Sequence, residues 1–212
     1  GGRITFTPCF NGVAEGPVEV PLIGRHNTGN ALAVYATARG IGLSPAVIRS
    51  AMATFSGVRR RQEIAGEAAG VLVVDDFAHH PTAVADTIDA VREAWPGRRL
   101  WAVFEPRSHT SRRRVFLMEF VRALIRADRV LLSDLYHPEK IPEDERLVPS
   151  ELVDLINQER GDRAASYLSR VDDIARAVIR DAVDQDIVLV MSNGNFGDLP
   201  RKIVAGLQQR ES

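Results

Sequence analysis

Asp75, Asp76, His79 and His80 place four ionisable side chains within one short run, Asp75-Asp76-Phe77-Ala78-His79-His80-Pro81-Thr82. A strand end placed only for stability rarely carries two acids and two imidazoles together. A second polar run, Glu105-Pro106-Arg107-Ser108-His109-Thr110, adds an arginine whose planar fork suits carboxylate or phosphate, with Arg112, Arg113 and Arg114 close behind. Ser133-Asp134 with Tyr136-His137, and Ser192-Asn193-Gly194-Asn195, form two more such runs. Each has a plainer reading. Asp75 and Asp76 could cap a helix and pair with an arginine, and Arg112–Arg114 could be a solvated helix start. The Arg59-Arg60-Arg61 run could be a charged linker. A zinc site at His79 and His80 is disfavoured, because no cysteine is near and no H-x-x-x-H spacing occurs.

The elements that must position these runs are legible around them. Apolar, β-branched segments at Val71–Val74, Leu100–Phe104, Val130–Leu132 and Ile187–Met191 read as buried strands, each ending where a polar run begins. Helical patterns follow at Ala83–Ala94, Arg113–Arg126, Ser150–Glu159 and Val171–Ala182, with a last helix after Leu199-Pro200. The alternation predicts an α/β fold, a Rossmann-like, mostly parallel sheet with helices on both faces. All four polar runs then share one sheet edge, where open α/β sheets bind ligands. Segment His137–Leu147 reads as an exposed loop. Before this block, Ile4–Thr7 and Val18–Leu22 read as short strands flanking an Asn11-Gly12 turn. Two helices follow them, Ala31–Ala38 and Ala46–Thr54, the second capped at Ser44-Pro45. Asn27 or Thr28 is the expected N-cap of the first.

Composition narrows the function classes. Lys and Arg (27) nearly balance Asp and Glu (28), for a net charge of −1, so nothing suggests a nucleic-acid or anionic-membrane partner. The single cysteine, Cys9, allows no internal disulfide and fits a reducing compartment. No secretory signal or bilayer-length apolar run occurs. No G-x-G-x-x-G follows the first buried strand and no G-x-S-x-G elbow occurs, which disfavours a dinucleotide enzyme and an α/β hydrolase. A carboxylate- or nucleotide-sensing module without chemistry fits the same polar sheet edge.

Three segments resemble the Mur ligases, ATP-dependent amide-forming enzymes of peptidoglycan assembly and recycling. Gly24-Arg25-His26-Asn27-Thr28-Gly29-Asn30-Ala31-Leu32-Ala33 is similar to their G-x-H-N-x-x-N-x-x-A signature. Phe55-Ser56-Gly57-Val58-Arg59-Arg60-Arg61 resembles the F-x-G-x-x-x-R junction between their central and C-terminal domains. Asp75–Thr82 resembles the D-D-Y/F-x-H-H-P motif of the branch that acts on UDP-N-acetylmuramate. Within that branch, Phe104–Thr110 and Met191–Gly197 are similar to members that add the murein tripeptide L-Ala-γ-D-Glu-meso-diaminopimelate. Members that add L-alanine carry a more arginine-rich segment where Ser108 and Ser111 stand here.

The resemblance implies that residues 1–57 are the tail of a central ATP-binding domain and 58–212 a C-terminal, peptide-binding domain. It implies ATP and magnesium as cofactors, UDP-N-acetylmuramate and the tripeptide as substrates, and a bacterial cytoplasmic setting. The family's G-x-x-G-K-[ST] phosphate loop is absent from the sequence, so the chain is expected to be a fragment without activity of its own, with ATP and magnesium held mainly elsewhere. By motif position, His26, Asn27 and Asn30 are expected near the nucleotide. Arg61 and Asp76 are the expected catalytic pair, reaching the nucleotide when the domains close, while His79, His80, Arg107, Ser108 and Asn193 face the incoming peptide. In the implied reaction, ATP phosphorylates the lactyl carboxylate of UDP-N-acetylmuramate. The peptide amine attacks the acyl phosphate, and the tetrahedral intermediate expels phosphate.

Overall fold

The structure, a computed structural model, describes residues 2–211. It divides into two compact units, one comprising the residues up to Val58 together with Asp89–Pro96, the other Arg59–Ile88 and the residues from Gly97 onward.

In the first unit, β1 (Ile4–Phe6), β2 (Cys9–Phe10), β3 (Val13–Ala14) and β4 (Val18–Val20) precede α1 (Arg25–Gly40) and α2 (Pro45–Ala53). Strands β1 and β4 pair antiparallel, as do β2 and β3. The Asn11-Gly12 turn between β2 and β3 has φ 49° and 81°, the left-handed pair that a two-residue hairpin requires. Val18, Val20, Ala31, Tyr35, Ile48 and Met52 form this unit's core. A polar clamp closes it. The Glu15 carboxylate accepts the Tyr35 hydroxyl at 2.8 Å and Arg39 Nε at 3.1 and 2.9 Å, and Arg39 holds its pKa below the ordinary range. Ser44 caps α2, accepting the Val47 N–H at 3.4 Å. The expected cap of α1 is corrected. Gly24, at φ 86°, is its N-cap, and Asn27 and Thr28 lie inside the helix.

The second unit carries β5 (Glu63–Ala68), β6 (Val71–Asp76), the start of α3 (Pro81–Ala94), β7 (Leu100–Phe104), α4 (Leu117–Leu124) and β8 (Arg129–Leu132). It continues through α5 (Pro149–Arg160), β9 (Ala165–Tyr167), α6 (Val171–Asp181), β10 (Ile187–Met191) and α7 (Leu199–Glu211). The six-stranded order is β5-β6-β10-β7-β8-β9, parallel except for β5. The last strand in the chain is therefore central. Alternate residues face opposite sides. Val71, Val73, Trp101, Val103, Val188 and Val190 pack with Ile174 and Val178 of α6 and Ile203 and Leu207 of α7. Phe104 meets Phe120 of α4, with ring centroids 5.1 Å apart.

Three expectations are corrected by these elements. The helix expected over Arg113–Arg126 is a short 3₁₀ turn, Arg114–Phe116, followed by α4. The segment His137–Leu147 is not simply an exposed loop, since two 3₁₀ turns shape it and Ile141 and Leu147 are buried. Strands β5 and β9 lie outside every strand expected from the sequence.

At the amino ends of the strands, Asp186 is 1 % exposed and fully occupied. It accepts Arg99 Nε and Nη2 at 2.9 and 2.6 Å, Trp101 Nε1 at 2.9 Å and the Val183 N–H at 3.0 Å. Burial alone raises a carboxylate pKa, but these donors outweigh it and Asp186 is lowered. A lowered acid stabilises the fold above the ordinary carboxylate range, and that contribution is lost as pH falls through the lowered value. Asp186→Asn is expected to cost about 1–2 kcal/mol at neutral pH, discounted because Arg99 can rehydrate. The gap from wild type should close in acid. Urea unfolding at neutral pH and near pH 3 checks this, and a constant gap counts against the pairing.

Candidate functional site

The carboxyl ends of the parallel strands carry the polar runs, and the strand order decides which of them meet. Because β10 lies between β6 and β7, Ser192-Asn193-Gly194 emerges between Asp75-Asp76 and Glu105-Pro106-Arg107. The Ser192 N–H donates to the Asp76 carbonyl at 3.1 Å, and the Glu105 N–H donates to the Met191 carbonyl at 3.1 Å.

Asp76 is 4 % exposed. Its Oδ2 accepts the Gln62 N–H at 2.8 Å, and Oδ1 accepts the Ala78 N–H at 2.7 Å and the Thr87 hydroxyl at 3.4 Å. Burial raises its pKa, with those backbone donors pulling the other way. The carboxylate thus ties the approach to β5 and the turn after β6 to one point. Arg61 is exposed and lies on the Phe77 ring face, 5.0 Å from its centroid.

Arg60, not singled out from the sequence, reaches deeper. Its Nη2 donates to the carbonyls of Ser192, at 2.6 Å, and of Gly194, and its Nε lies 3.3 Å from Asp75 Oδ2. Its backbone N–H donates to Glu63 at 2.7 Å. The charged-linker reading of Arg59-Arg60-Arg61 is corrected at Arg60. Position in a run of three arginines carries no signal that separates it from its neighbours.

Arg107 is half-buried, with its Cζ 3.5 Å from the Tyr136 ring centroid. A Cβ on Gly194 would collide with Arg107 Nε, so the guanidinium passes where any other residue would put a side chain. Asn193 brings a buried Oδ1 with no hydrogen-bond partner. Buried acceptors are usually paired, so this oxygen is a candidate contact for a bound group or an ordered water.

The histidines divide. His79 Nδ1 lies 2.9 Å from the Phe77 carbonyl, with its ring edge-on to Phe77. His80 is exposed, accepts the Thr82 N–H at 3.4 Å ahead of α3 and meets the edge of Phe116. Ser108 shapes a turn, its hydroxyl accepting the Ser111 N–H at 2.9 Å and pairing with the Ser111 hydroxyl. Arg112 is not a solvated helix start. It is 8 % exposed and donates to the Tyr136 and His137 carbonyls at 2.7 and 2.9 Å, fixing the loop that bears Tyr136. Arg113 and Arg114 pair with Glu145 and Glu151.

In the first unit, Asn27 Nδ2 donates to the Ile23 carbonyl at 2.8 Å, and Asn30 Nδ2 to Asn27 Oδ1 at 3.2 Å, while His26 is exposed on the same first turns of α1. Among the described residues no three of His, Cys, Asp and Glu gather to hold a metal ion. Among them, no helix is long and apolar enough to cross a membrane.

The chain is 38% identical over 202 residues to the UDP-N-acetylmuramate–L-alanyl-γ-D-glutamyl-meso-2,6-diaminoheptandioate ligase of Escherichia coli, covering 95% of this chain and 42% of that protein. It is 35% identical over 219 residues to the UDP-N-acetylmuramate–L-alanine ligase of Burkholderia cenocepacia, covering 99% of this chain and 45% of that one. The chain thus spans less than half the length of these curated relatives. Among solved structures, a murein peptide ligase from Psychrobacter arcticus superposes with a TM-score of 0.68 at 32% identity, over 96% of this chain and 42% of that one. The family profile described as Mur ligase, glutamate ligase domain, matches residues 60–194, the stretch from Arg60 to Gly194 that contains these strand-end contacts, and on that match the chain belongs to the Mur ligase family.

Proposed function

We propose that this chain is the C-terminal part of an ATP-dependent ligase that joins L-Ala-γ-D-Glu-meso-diaminopimelate to UDP-N-acetylmuramate. The observation that carries the reading is Arg107, a guanidinium held on the Tyr136 ring and against Gly194 at the carboxyl edge of the sheet. A positioned planar fork binds a carboxylate bidentately, and the tripeptide carries several carboxylates and one free N-terminal amine. The amine is the nucleophile toward an acyl phosphate, and orienting it is what a peptide-side domain contributes. Asn193 Oδ1 offers a buried acceptor one residue before Gly194, the residue against which Arg107 lies, and Arg61 an exposed cation for a phosphate or ribose. Asp76 acts through Gln62 and the neighbouring Arg61, as a positioning residue. The Ser108–Ser111 turn stands where the L-alanine-adding members carry arginines, which favours the tripeptide. The 35% identity to an L-alanine ligase keeps that substrate as the second reading.

Amide formation by the full-length ligase, with ATP and UDP-N-acetylmuramate, decides between them. The tripeptide is expected to exceed L-alanine by at least about a hundredfold in kcat/KM, since a site built for several polar groups rejects an analogue that lacks them. Arg107→Ala should raise the tripeptide KM about 10–100-fold while the KM for ATP stays within about twofold. Preference for L-alanine selects the second reading. Ligand binding without amide formation makes the protein a sensing module.

A further inference from the structure

Glu105 is the first residue beyond β7 and is 7 % exposed. Its two oxygens serve different partners. Oε2 accepts the Ser192 hydroxyl, and the Ser192 oxygen in turn accepts the Gly194 N–H at 2.9 Å. Oε1 faces Arg107, whose Nη1 lies 3.8 Å away. One carboxylate therefore touches both components of the crevice edge, the Ser192–Gly194 turn and the guanidinium that crosses it. From the other side, Arg60 holds the same turn by its two carbonyls. Between these anchors sits Asn193, with its buried, unpartnered Oδ1.

A carboxylate removed from water at a strand end costs free energy unless donors satisfy it. Burial raises the Glu105 pKa, and Ser192, Arg107 and Arg60 draw it back. An uncharged glutamine at this position suits a turn anchor equally well, because its oxygen accepts a hydroxyl. What glutamine lacks is attraction for Arg107. The acid is thus in excess of what the turn requires, and the excess points at Arg107. An arginine side chain has several rotatable bonds, and freezing them for a ligand otherwise costs entropy at the moment of binding. The Tyr136 ring restricts the guanidinium to a plane, and Glu105 restricts its direction within that plane.

We propose that Glu105 is a positioning residue of the peptide site, aligning Arg107 with the Ser192–Gly194 turn so that guanidinium and Asn193 amide are presented together to one carboxylate-bearing, amine-bearing substrate. This rests on the reading that Arg107 receives a carboxylate of the peptide, and the experiment separates the two.

In the full-length ligase, Glu105→Gln is expected to raise the tripeptide KM about tenfold, with kcat changed less than about threefold and the ATP KM within about twofold. Ser192→Ala, which frees the turn and leaves the acid beside Arg107, should lower kcat more than it raises KM. In nitrogen-15 spectra of this chain, the Arg107 Nε–H signal, shifted by the Tyr136 ring, should move toward the random-coil position in Glu105→Gln and stay in place in Ser192→Ala. Arg107→Ala, measured in parallel, isolates the underlying reading. If it leaves the tripeptide KM unchanged, both the reading and the proposal fall. If it raises that KM while Glu105→Gln leaves both KM and the Arg107 signal at wild-type values, Glu105 alone is overturned. Equal losses for ATP and tripeptide in Glu105→Gln, with a lowered melting temperature, make its role general scaffolding and also overturn the proposal.

Discussion

Asp76→Ala is expected to lose about 2–4 kcal/mol of stability in the second unit and roughly a hundredfold in kcat/KM of the full-length ligase. The stability loss follows from what the carboxylate holds. Two backbone N–H groups, of Gln62 and Ala78, donate to it at the edge of the crevice. Removing the acceptor takes this partner from both, at about 1–3 kcal/mol for each buried donor before relaxation. The segment it holds is also strained. Arg60 and Gln62 both adopt left-handed backbone, at φ 58° and 53°, without being glycine, which costs on the order of 1 kcal/mol each. With Asp76 gone, Gln62 can relax to an extended conformation, and Arg61 leaves the Phe77 ring with it. Folding and activity therefore fall together. The sign of the pH dependence is fixed by the raised pKa of Asp76. The folded state keeps the proton to a higher pH than the unfolded state, so this group's contribution declines as pH rises from the ordinary carboxylate range through the raised value. The gap between wild type and Asp76→Ala is widest in acid, and the neutral-pH figure is its minimum. Thermal melts should show a drop of roughly 5–10 °C for the second unit's transition. Asp76→Asn, which keeps one acceptor oxygen, should recover part of it. An Asp76→Ala protein of wild-type stability that still lost activity would make Asp76 a direct nucleotide ligand instead.

The fold was legible in the sequence where burial dominates. Val71–Val74, Leu100–Phe104 and Ile187–Met191 are apolar at successive positions because both faces of a central parallel strand are covered, and each is a strand in the structure. Strand β5, Glu-Ile-Ala-Gly-Glu-Ala, carries no such signal, being an edge strand with a bulge between Ile64 and Gly66. Gly66 is there because a Cβ would lie 2.9 Å from Val204 of α7. That is a packing reason invisible in local sequence. The short edge strand β9 lacks an apolar run for the same reason.

Strand order was the larger gap. Periodicity puts four polar strand ends on one edge but does not say which are neighbours. The insertion of β10 between β6 and β7 brings Ser192 to Glu105 and, through Arg60, to Asp75, and it depends on the connection from β9 crossing back over β8 and β7. For this reason Arg107 and Asn193 could be selected from residue type, whereas Arg60 and Glu105 could not. Both meet Ser192, a partner more than eighty residues away in the chain that local sequence does not reveal. Arg112 shows the converse error. A run of three arginines suggests solvent, yet its first member is buried because two loop carbonyls, of Tyr136 and His137, need donors.

Gly194→Ala is expected to leave the protein folded and to cost about 10–100-fold in kcat/KM for the tripeptide. Gly194 does not have the positive φ that would make alanine costly to the backbone. The added methyl would collide with Nε, Cδ and Cζ of Arg107. Those atoms are the outer part of a flexible side chain, so the collision resolves by moving Arg107, not by unfolding the sheet. Stability should change by less than about 1 kcal/mol. Once displaced, the guanidinium cannot both lie on the Tyr136 ring and face Glu105. A charged group moved by about an ångström from its productive place can cost a hundredfold in rate. The loss should fall on the tripeptide KM and spare the KM for ATP. Arg107→Ala provides the comparison, since a methyl at 194 should add little once the side chain it displaces has been removed. A double variant, Arg107→Ala with Gly194→Ala, is therefore expected to resemble Arg107→Ala alone. Additive losses in the double variant, or a fall in melting temperature of more than about 5 °C in Gly194→Ala, would place the effect in the Ser192–Gly194 turn itself and not in Arg107.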